Sequence, residues 1–558
     1  MAESNGKPTR RREWIAVGAI TAAALALRLA GIWWGLPNSQ HYFSYHPDEI
    51  FVLLPSFGFA QGDWNPHFFN YGTLYLYLVG IPAVIFGIVP DPLRFPQGLA
   101  PLYLTGRIVT ALLGTASVPL LYLALRRENR SLAWGSALLL TICPLHVINS
   151  HYATVDVPAT FFLVVAFLFA LRGAERATLK NAILTGLFFG LAAAAKYNAG
   201  IFLLPALLAP ALNSVGQELA CPERSRRTSC PHRNGRKASI SWWLGLPAGA
   251  LVAFLVCNPW IGTPEFRQGF LFEWRHAQAG GTFAFVGTGS GWSYHLVHGL
   301  PVALGYPLLA AVILGVILAF RSKSPAVRLS LLWVILYFFV IGFGKERFIR
   351  YLVPMTPFLC VLAVWGICSL LRLAKRPATE NSAVLLGIAV LLLTGLYSLG
   401  QSAALLGIDG RDLAWLQTDS DIIEKYHVKN IGLATTPWFH DPPVSPYNAG
   451  AFSRPMFDEW NRSARRPVVV ADWDARKLRS ARPDVFFLSD LESQDLLRLH
   501  DPKATEFVEA LSHLYAESWS FHGAPAAASW ALGPPRSWAP PDWLYPQPII
   551  TVYYSPRP

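Results

Sequence analysis

Apolar runs of about 17–25 residues recur from Trp14 to Leu399, and no other feature constrains this 558-residue chain as tightly. A helix of that length crosses the hydrocarbon core of a bilayer with every backbone polar group bonded internally. The chain is 53% hydrophobic and only 14% charged, whereas a soluble protein carries roughly a quarter charged residues. The fold class read from this is a polytopic α-helical membrane protein. The net charge of +12 therefore reports topology first and does not argue for a nucleic-acid partner.

Spans are expected near 14–33, 103–125, 131–149, 157–172, 181–197, 199–212, 241–258, 301–320, 327–343, 351–371 and 383–402. The stretch 73–90 is also apolar, and charge decides its status. If it does not cross, the basic clusters Lys7–Arg12, Arg126–Arg130, Arg172–Lys180, Arg224–Lys237, Arg321–Arg328 and Arg372–Arg376 all fall inside. If it crosses, all but the first move outside, against the positive-inside rule. The expectation is thus about 11 transmembrane helices, with 73–90 as a juxtamembrane or re-entrant helix against the outer face. The N-terminus is cytoplasmic, the C-terminus extracytoplasmic, and the membrane a plasma (inner) membrane. Basic residues before Trp14 resemble a signal peptide, but Arg28 interrupts the apolar core, so a retained first helix is expected.

This topology divides the chain into a transmembrane region, 1–402, and an extracytoplasmic α/β domain, 403–558. The first outer loop is 34–102, and a second, 259–300, carries the Gly-rich stretch Gly280–Gly291. Strand-like runs Asn430–Ala434, Pro467–Ala471, Asp484–Leu488 and Ile549–Tyr554 mix with helix-like 411–426 and 503–515 in the last domain. The cytoplasmic loop 213–240 contains a basic insertion, Cys221–Lys237, whose Cys221, Cys230 and His232 are poorly spaced for zinc. The C-terminal domain has no cysteine, so no disulfide framework is implied.

The first outer loop carries His46-Pro47-Asp48-Glu49. Pro followed by acids is a common helix start, favoured by the helix dipole. The same placement can aim a carboxylate at an outer cavity. Asp156, in His151-Tyr152-Ala153-Thr154-Val155-Asp156-Val157-Pro158, poses the same two alternatives, N-cap or second cavity acid. Cations on the outer side run against the charge bias: Arg107, Lys196, and the turn Lys345, Arg347 and Arg350. Arg and Lys suit phosphate, and an anionic ligand is expected at the three-cation turn. Headgroup anchoring is the other reading for any single one. His46, His151, Tyr197 and His276 are candidate acceptor or loop contacts. His46-x-Asp48 leaves a divalent metal open, but no dedicated metal motif is present, so no cofactor is assigned.

The order of short motifs resembles the GT-C glycosyltransferases. It runs from Asp48-Glu49 through Gln61–Gly72 and His151–Pro158 to Ala195-Lys196-Tyr197-Asn198 and Arg350-Tyr351-Leu352-Val353-Pro354. The branch it looks most like is the protein O-mannosyltransferase and aminoarabinose-transferase-like family, over roughly residues 14–400. That resemblance implies sugar transfer from a polyprenyl-phosphate-linked donor to a protein, lipid or glycan acceptor at the outer face, among membrane lipids. It implies Asp48 as catalytic base with Glu49 its neighbour and Asp156 as second cavity acid. Donor-phosphate contacts would come from Lys196, Arg347 and Arg350. The Asp-x-Asp of the metal-dependent oligosaccharyltransferase branch is absent. A transporter or flippase is the rival; it calls for ionisable residues at mid-membrane and inverted repeats, whereas charge here clusters at outer helix ends. A scaffold binding a partner through its outer domain is a third reading, which leaves the outer cations unexplained.

Overall fold

The computed structural model describes residues 10–91, 96–212, 240–373, 377–448, 453–523 and 529–556. The basic insertion with Cys221 and Cys230, and the basic residues before Arg10, lie outside the described residues. The fold is mostly helical, with one small sheet near the C-terminus. Six described helices are long and apolar enough to cross a membrane, among them Ala100–Leu125, Asp156–Glu175 and Ile240–Cys257. Expected spans near 181–197, 199–212 and 327–343 form shorter apolar helices, Leu179–Ala195, Tyr197–Leu207 and Pro325–Ile341. The stretch 73–90 contains one helix, Leu74–Ile85, of 12 residues. At 1.5 Å per residue it is about 18 Å long, well short of a bilayer core of about 30 Å.

The expected span 131–149 is broken. Helix Arg130–Ile142 ends at Cys143, which is extended, and a second short helix runs Pro144–Asn149. Proline drives the residue before it out of the helical region and has no N–H to return to the preceding turn. The carbonyls so released are met from another helix. Arg28, fully buried in helix Arg10–Leu29, donates to the Leu140 and Thr141 carbonyls at 3.1 and 3.3 Å. The charge that interrupts the first apolar run thus caps a broken neighbour.

Close packing uses small residues. Helices Leu179–Ala195 and Ile240–Cys257 approach so nearly that a Cβ on Gly186 would lie 1.9 Å from the Leu246 carbonyl oxygen. A Cβ on Gly190 would lie 2.2 Å from that of Ala250. This is the small-residue contact through which membrane helices gain van der Waals energy, since apolar burial between them gains little in lipid.

The C-terminal sheet has five strands, β1 (Ile431–Leu433), β2 (Val468–Val470), β3 (Val485–Ser489), β4 (Glu517–His522) and β5 (Ile549–Tyr554), in the order β2-β1-β3-β5-β4. β1 pairs in parallel with β2 and β3, whereas β5 pairs antiparallel with β3 and β4. Four strands fall on the expected apolar runs. β4 was not expected; it is an edge strand, exposed at all but Phe521. The four cysteines among the described residues form no disulfide.

The sheet region is tied to the segment that follows helix Arg10–Leu29 by a buried ion cluster. Arg411 forks onto Asp409 at 2.7 and 2.8 Å and stacks 3.8 Å above the Tyr45 ring. Trp34 donates to Asp409 at 2.9 Å. The loop that carries Asp48 is therefore clamped between the helices and the sheet region.

Candidate active site

The Asp48-Glu49 pair opens a short helix, Glu49–Leu53, and its two carboxylates part company there. Asp48 occupies the N-cap position but makes no side-chain cap bond. Its carboxylate, 24% exposed, instead meets the Arg350 guanidinium at 3.0 Å. Glu49 is fully buried and grips Arg107 through two 2.7 Å bonds. It also accepts the Ala153 N–H at 2.8 Å and the Ser44 hydroxyl at 2.6 Å. Burial alone would raise the Glu49 carboxyl; Arg107 and these hydrogen bonds outweigh it and hold it below the ordinary carboxylate value.

Asp48 shares a cleft with Asp156, Lys196, Glu273, Arg350 and Tyr351. Asp156 stands at the start of helix Asp156–Glu175 and Lys196 just past the end of Leu179–Ala195, where the two side chains pair. Lys196 Nζ lies 4.8 Å above the Tyr351 ring. Arg350 and Tyr351 sit in a 3-10 turn, Ile349–Met355. Glu273 comes from helix Pro264–Ala279, and burial raises its carboxyl above the usual range. The cleft continues into a cavity of about 290 Å³ that shares Lys196, Glu273 and Tyr351 and adds apolar walls such as Phe270, Trp274 and Ile341. Tyr197 stands in that cavity, its hydroxyl 2.9 Å from the Tyr71 carbonyl.

The other expected site residues are placed elsewhere. Arg107 does not face the cleft: besides Glu49, it donates to the Ile32 and Trp34 carbonyls and to Ser44, and it is 1% exposed. A guanidinium with its donors already engaged has none to offer a phosphate. Lys345 and Arg347 point into the Gly-rich loop. Lys345 donates to the Ala279 carbonyl at 3.4 Å, and Arg347 to the Gly289 carbonyl at 2.7 Å and to Thr288. Glu346 between them accepts from Gly281 and Thr282. Of the three-cation turn, only Arg350 reaches Asp48.

His46 is buried against Tyr152 and Tyr545 and accepts the Asp48 N–H at 3.3 Å. Burial lowers it to about 4, so the ring is neutral at pH 7. His151 has both ring nitrogens 2.9 Å from carbonyls of Val147 and Ala30, away from the cleft. His276 stacks on Phe272 and does not line the cleft.

Three residues at the cleft escaped the sequence reading. Glu273 and Tyr71 line both cleft and cavity. Asp542, from the far end of the chain, is buried and accepts the backbone N–H groups of Ile349 and Arg350, both at 3.1 Å. It also lies 3.8 Å from the Arg350 guanidinium. No local pattern marks Asp542, because its partners are 192 and 193 residues away.

Two family models match the chain. Dolichyl-phosphate-mannose-protein mannosyltransferase matches residues 98–216, and the Alg9-like mannosyltransferase family matches residues 284–447. The first stretch carries Arg107, Asp156 and Lys196; the second carries Lys345, Arg347 and Arg350. No curated protein matches the sequence. Among solved structures, the chain is similar to ArnT from Cupriavidus metallidurans bound to undecaprenyl phosphate. That match has 17% identity and a TM-score of 0.48 over 98% of this chain and 100% of that one. It is also similar to the oligosaccharyltransferase of Archaeoglobus fulgidus in the apo form (13%, 0.47, 92% and 74%). A third likeness is to the S. cerevisiae protein O-mannosyltransferase Pmt1-Pmt2 complex bound to the sugar donor (18%, 0.34, 47% and 35%).

With two mannosyltransferase models on separate stretches of one helical chain, the protein is a membrane glycosyltransferase of the GT-C type. Within that class it is mannosyltransferase-like, an enzyme that transfers sugars.

Proposed function

We propose that this enzyme moves a sugar from a polyprenyl-phosphate-linked donor to an acceptor hydroxyl at the outer face of the membrane, with inversion at the anomeric carbon and Asp48 as base. The observation that carries this reading is the convergence of Asp48, Arg350, Asp156 and Lys196 on one cleft that opens into an apolar-walled cavity. The name of the model matched at 98–216 fits a polyprenyl-phosphate donor.

In this reading the donor phosphate lies between Lys196 and Arg350, and the lipid chain occupies the apolar cavity. Both cations are paired with acids in the cleft. An incoming phosphate competes for them and loosens Arg350 from Asp48. The freed carboxylate then takes the proton of the acceptor hydroxyl as its oxygen attacks the anomeric carbon. The bond between that carbon and the phosphate oxygen breaks, and polyprenyl phosphate leaves with its charge met by the two cations. Glu49 and Arg107 hold the turn that presents Asp48, and Lys345 and Arg347 hold the Gly-rich loop. We place about 11 crossings in the membrane, the N-terminus inside, helix Leu74–Ile85 along the outer surface, and residues 403–558 outside as a separate domain. Protein, lipid and glycan all fit as acceptors.

The test is chemical. Purified full-length protein in lipid vesicles is given a polyprenyl-phosphate-linked mannose and cell-envelope protein, lipid and glycan fractions. The reading expects stoichiometric release of polyprenyl phosphate with label appearing in one fraction. Movement of intact lipid-linked sugar across the vesicle membrane, with no bond cleaved, would instead favour a flippase.

A further inference from the structure

Away from the cleft, the sheet region contains a second cluster of ligating side chains. His440 and Asp441 lie in the loop after β1, and Glu492 lies on helix Asp490–Arg498. One ligand atom from each lies within 4.8 Å of the others. His440 Nδ1 is 3.1 Å from a carboxylate oxygen of Asp441 and 3.3 Å from one of Glu492. Neither approach has the alignment of a hydrogen bond. Donors bound at 2.0–2.1 Å around a tetrahedral ion stand about 3.3 Å apart, close to the distance from His440 Nδ1 to each of the two carboxylates.

The cluster is deeply placed. The Asp441 and Glu492 side chains are 1% and 6% exposed. Each has one oxygen, Asp441 Oδ1 and Glu492 Oε1, that is buried without a hydrogen-bond partner. The oxygens that approach His440 Nδ1, Asp441 Oδ2 and Glu492 Oε2, are oriented by the protein: Trp438 N–H donates to the first at 3.0 Å and the Thr435 hydroxyl to the second at 2.8 Å. Outer hydrogen bonds of this kind fix the direction of metal-bound carboxylates. Around a bound cation the imidazole is neutral, and the two carboxylates supply a charge of −2 to meet the ion.

We propose that His440, Asp441 and Glu492 bind a divalent transition-metal cation, with zinc the best fit to one nitrogen and two oxygen ligands. The ion would pin the loop after β1 to helix Asp490–Arg498. That loop includes Phe439, whose carbonyl accepts from Arg411 and whose ring packs 5.2 Å from Tyr545, the neighbour of His46. Its role is structural, and it does not depend on the transfer reading.

The alternative for the same cluster is an imidazolium closed between two carboxylates. Burial opposes that charge, but Asp441 and Glu492 carry His440 up to about 9. Metal content separates the two. Full-length protein purified in detergent without a polyhistidine tag is analysed by mass spectrometry for bound metals, beside Glu492→Gln and His440→Asn. About one transition-metal ion per chain is expected in the wild type, with occupancy at least about ten-fold lower in the variants. If the variants do not fold, chelator-stripped wild-type protein is titrated with Zn²⁺ alone, and its melting temperature is expected to rise. A wild type that holds no metal and whose melting temperature ignores added Zn²⁺ overturns the proposal. So does undiminished metal content in both variants.

Discussion

At the scale of single residues, adjacent acids have opposite fates. Asp48 keeps partial exposure and one cation; Glu49 is sealed in with Arg107. That difference was not legible in the sequence, because Arg107 lies 58 residues from Glu49 and nothing local distinguishes a cation open to a ligand from one that binds a neighbour. What was legible is the polarity. Arg and Lys at the ends of apolar runs signalled partners, and Lys196 and Arg350 do line the cleft. Removing one member of a buried pair leaves the other charge uncompensated, at a cost of roughly 3–5 kcal/mol. Arg107→Met is therefore expected to lower the melting temperature markedly, whereas Arg476→Met, whose side chain is 87% exposed, changes it little. Because the Glu49 carboxyl is held below its ordinary value, its stabilisation is fully present above that value and is lost as pH falls through the folded one. The acid limb of the stability profile should flatten in Arg107→Met; an unchanged profile and melting temperature would show that the pair contributes nothing.

At the scale of elements, apolar runs located the helices, and alternating or apolar runs located β1, β2, β3 and β5. β4 was missed because an edge strand reading Glu517-Ser518-Trp519-Ser520 shows no buried face on which a pattern can rest. The break at Cys143 was marked by Pro144, yet hidden by unbroken hydrophobicity on both sides. Its repair by Arg28 depends on the helix arrangement alone. Helix contacts give a second expectation. Gly186→Leu drives a side chain into the Leu246 backbone, and overpacking of this kind costs about 1–3 kcal/mol or more. Gly18→Leu, with nothing within 4 Å of its Cβ position, serves as the tolerated control. Equal yields and melting temperatures for the two variants would contradict the packing described for helices Leu179–Ala195 and Ile240–Cys257.

At the scale of the whole molecule, the cleft is assembled from distant parts of the chain. The segment between helices Arg10–Leu29 and Leu74–Ile85 supplies Asp48, the helix ends supply Asp156 and Lys196, the turn before helix Thr356–Leu373 supplies Arg350, and the C-terminal region supplies Asp542 beneath that turn. The short motifs that resemble GT-C enzymes name the first four in order. They do not name the fifth, since it lies beyond the motifs and acts by holding backbone. The central claim is that Asp48 takes the acceptor proton in this cleft. It is tested most directly by polyprenyl phosphate release from a lipid-linked sugar, in the presence of acceptor, by wild-type protein and Asp48→Asn. The account predicts a rate at least about 100-fold lower in the variant, with binding of polyprenyl phosphate and melting temperature close to wild type. Release at the wild-type rate by folded Asp48→Asn would contradict it.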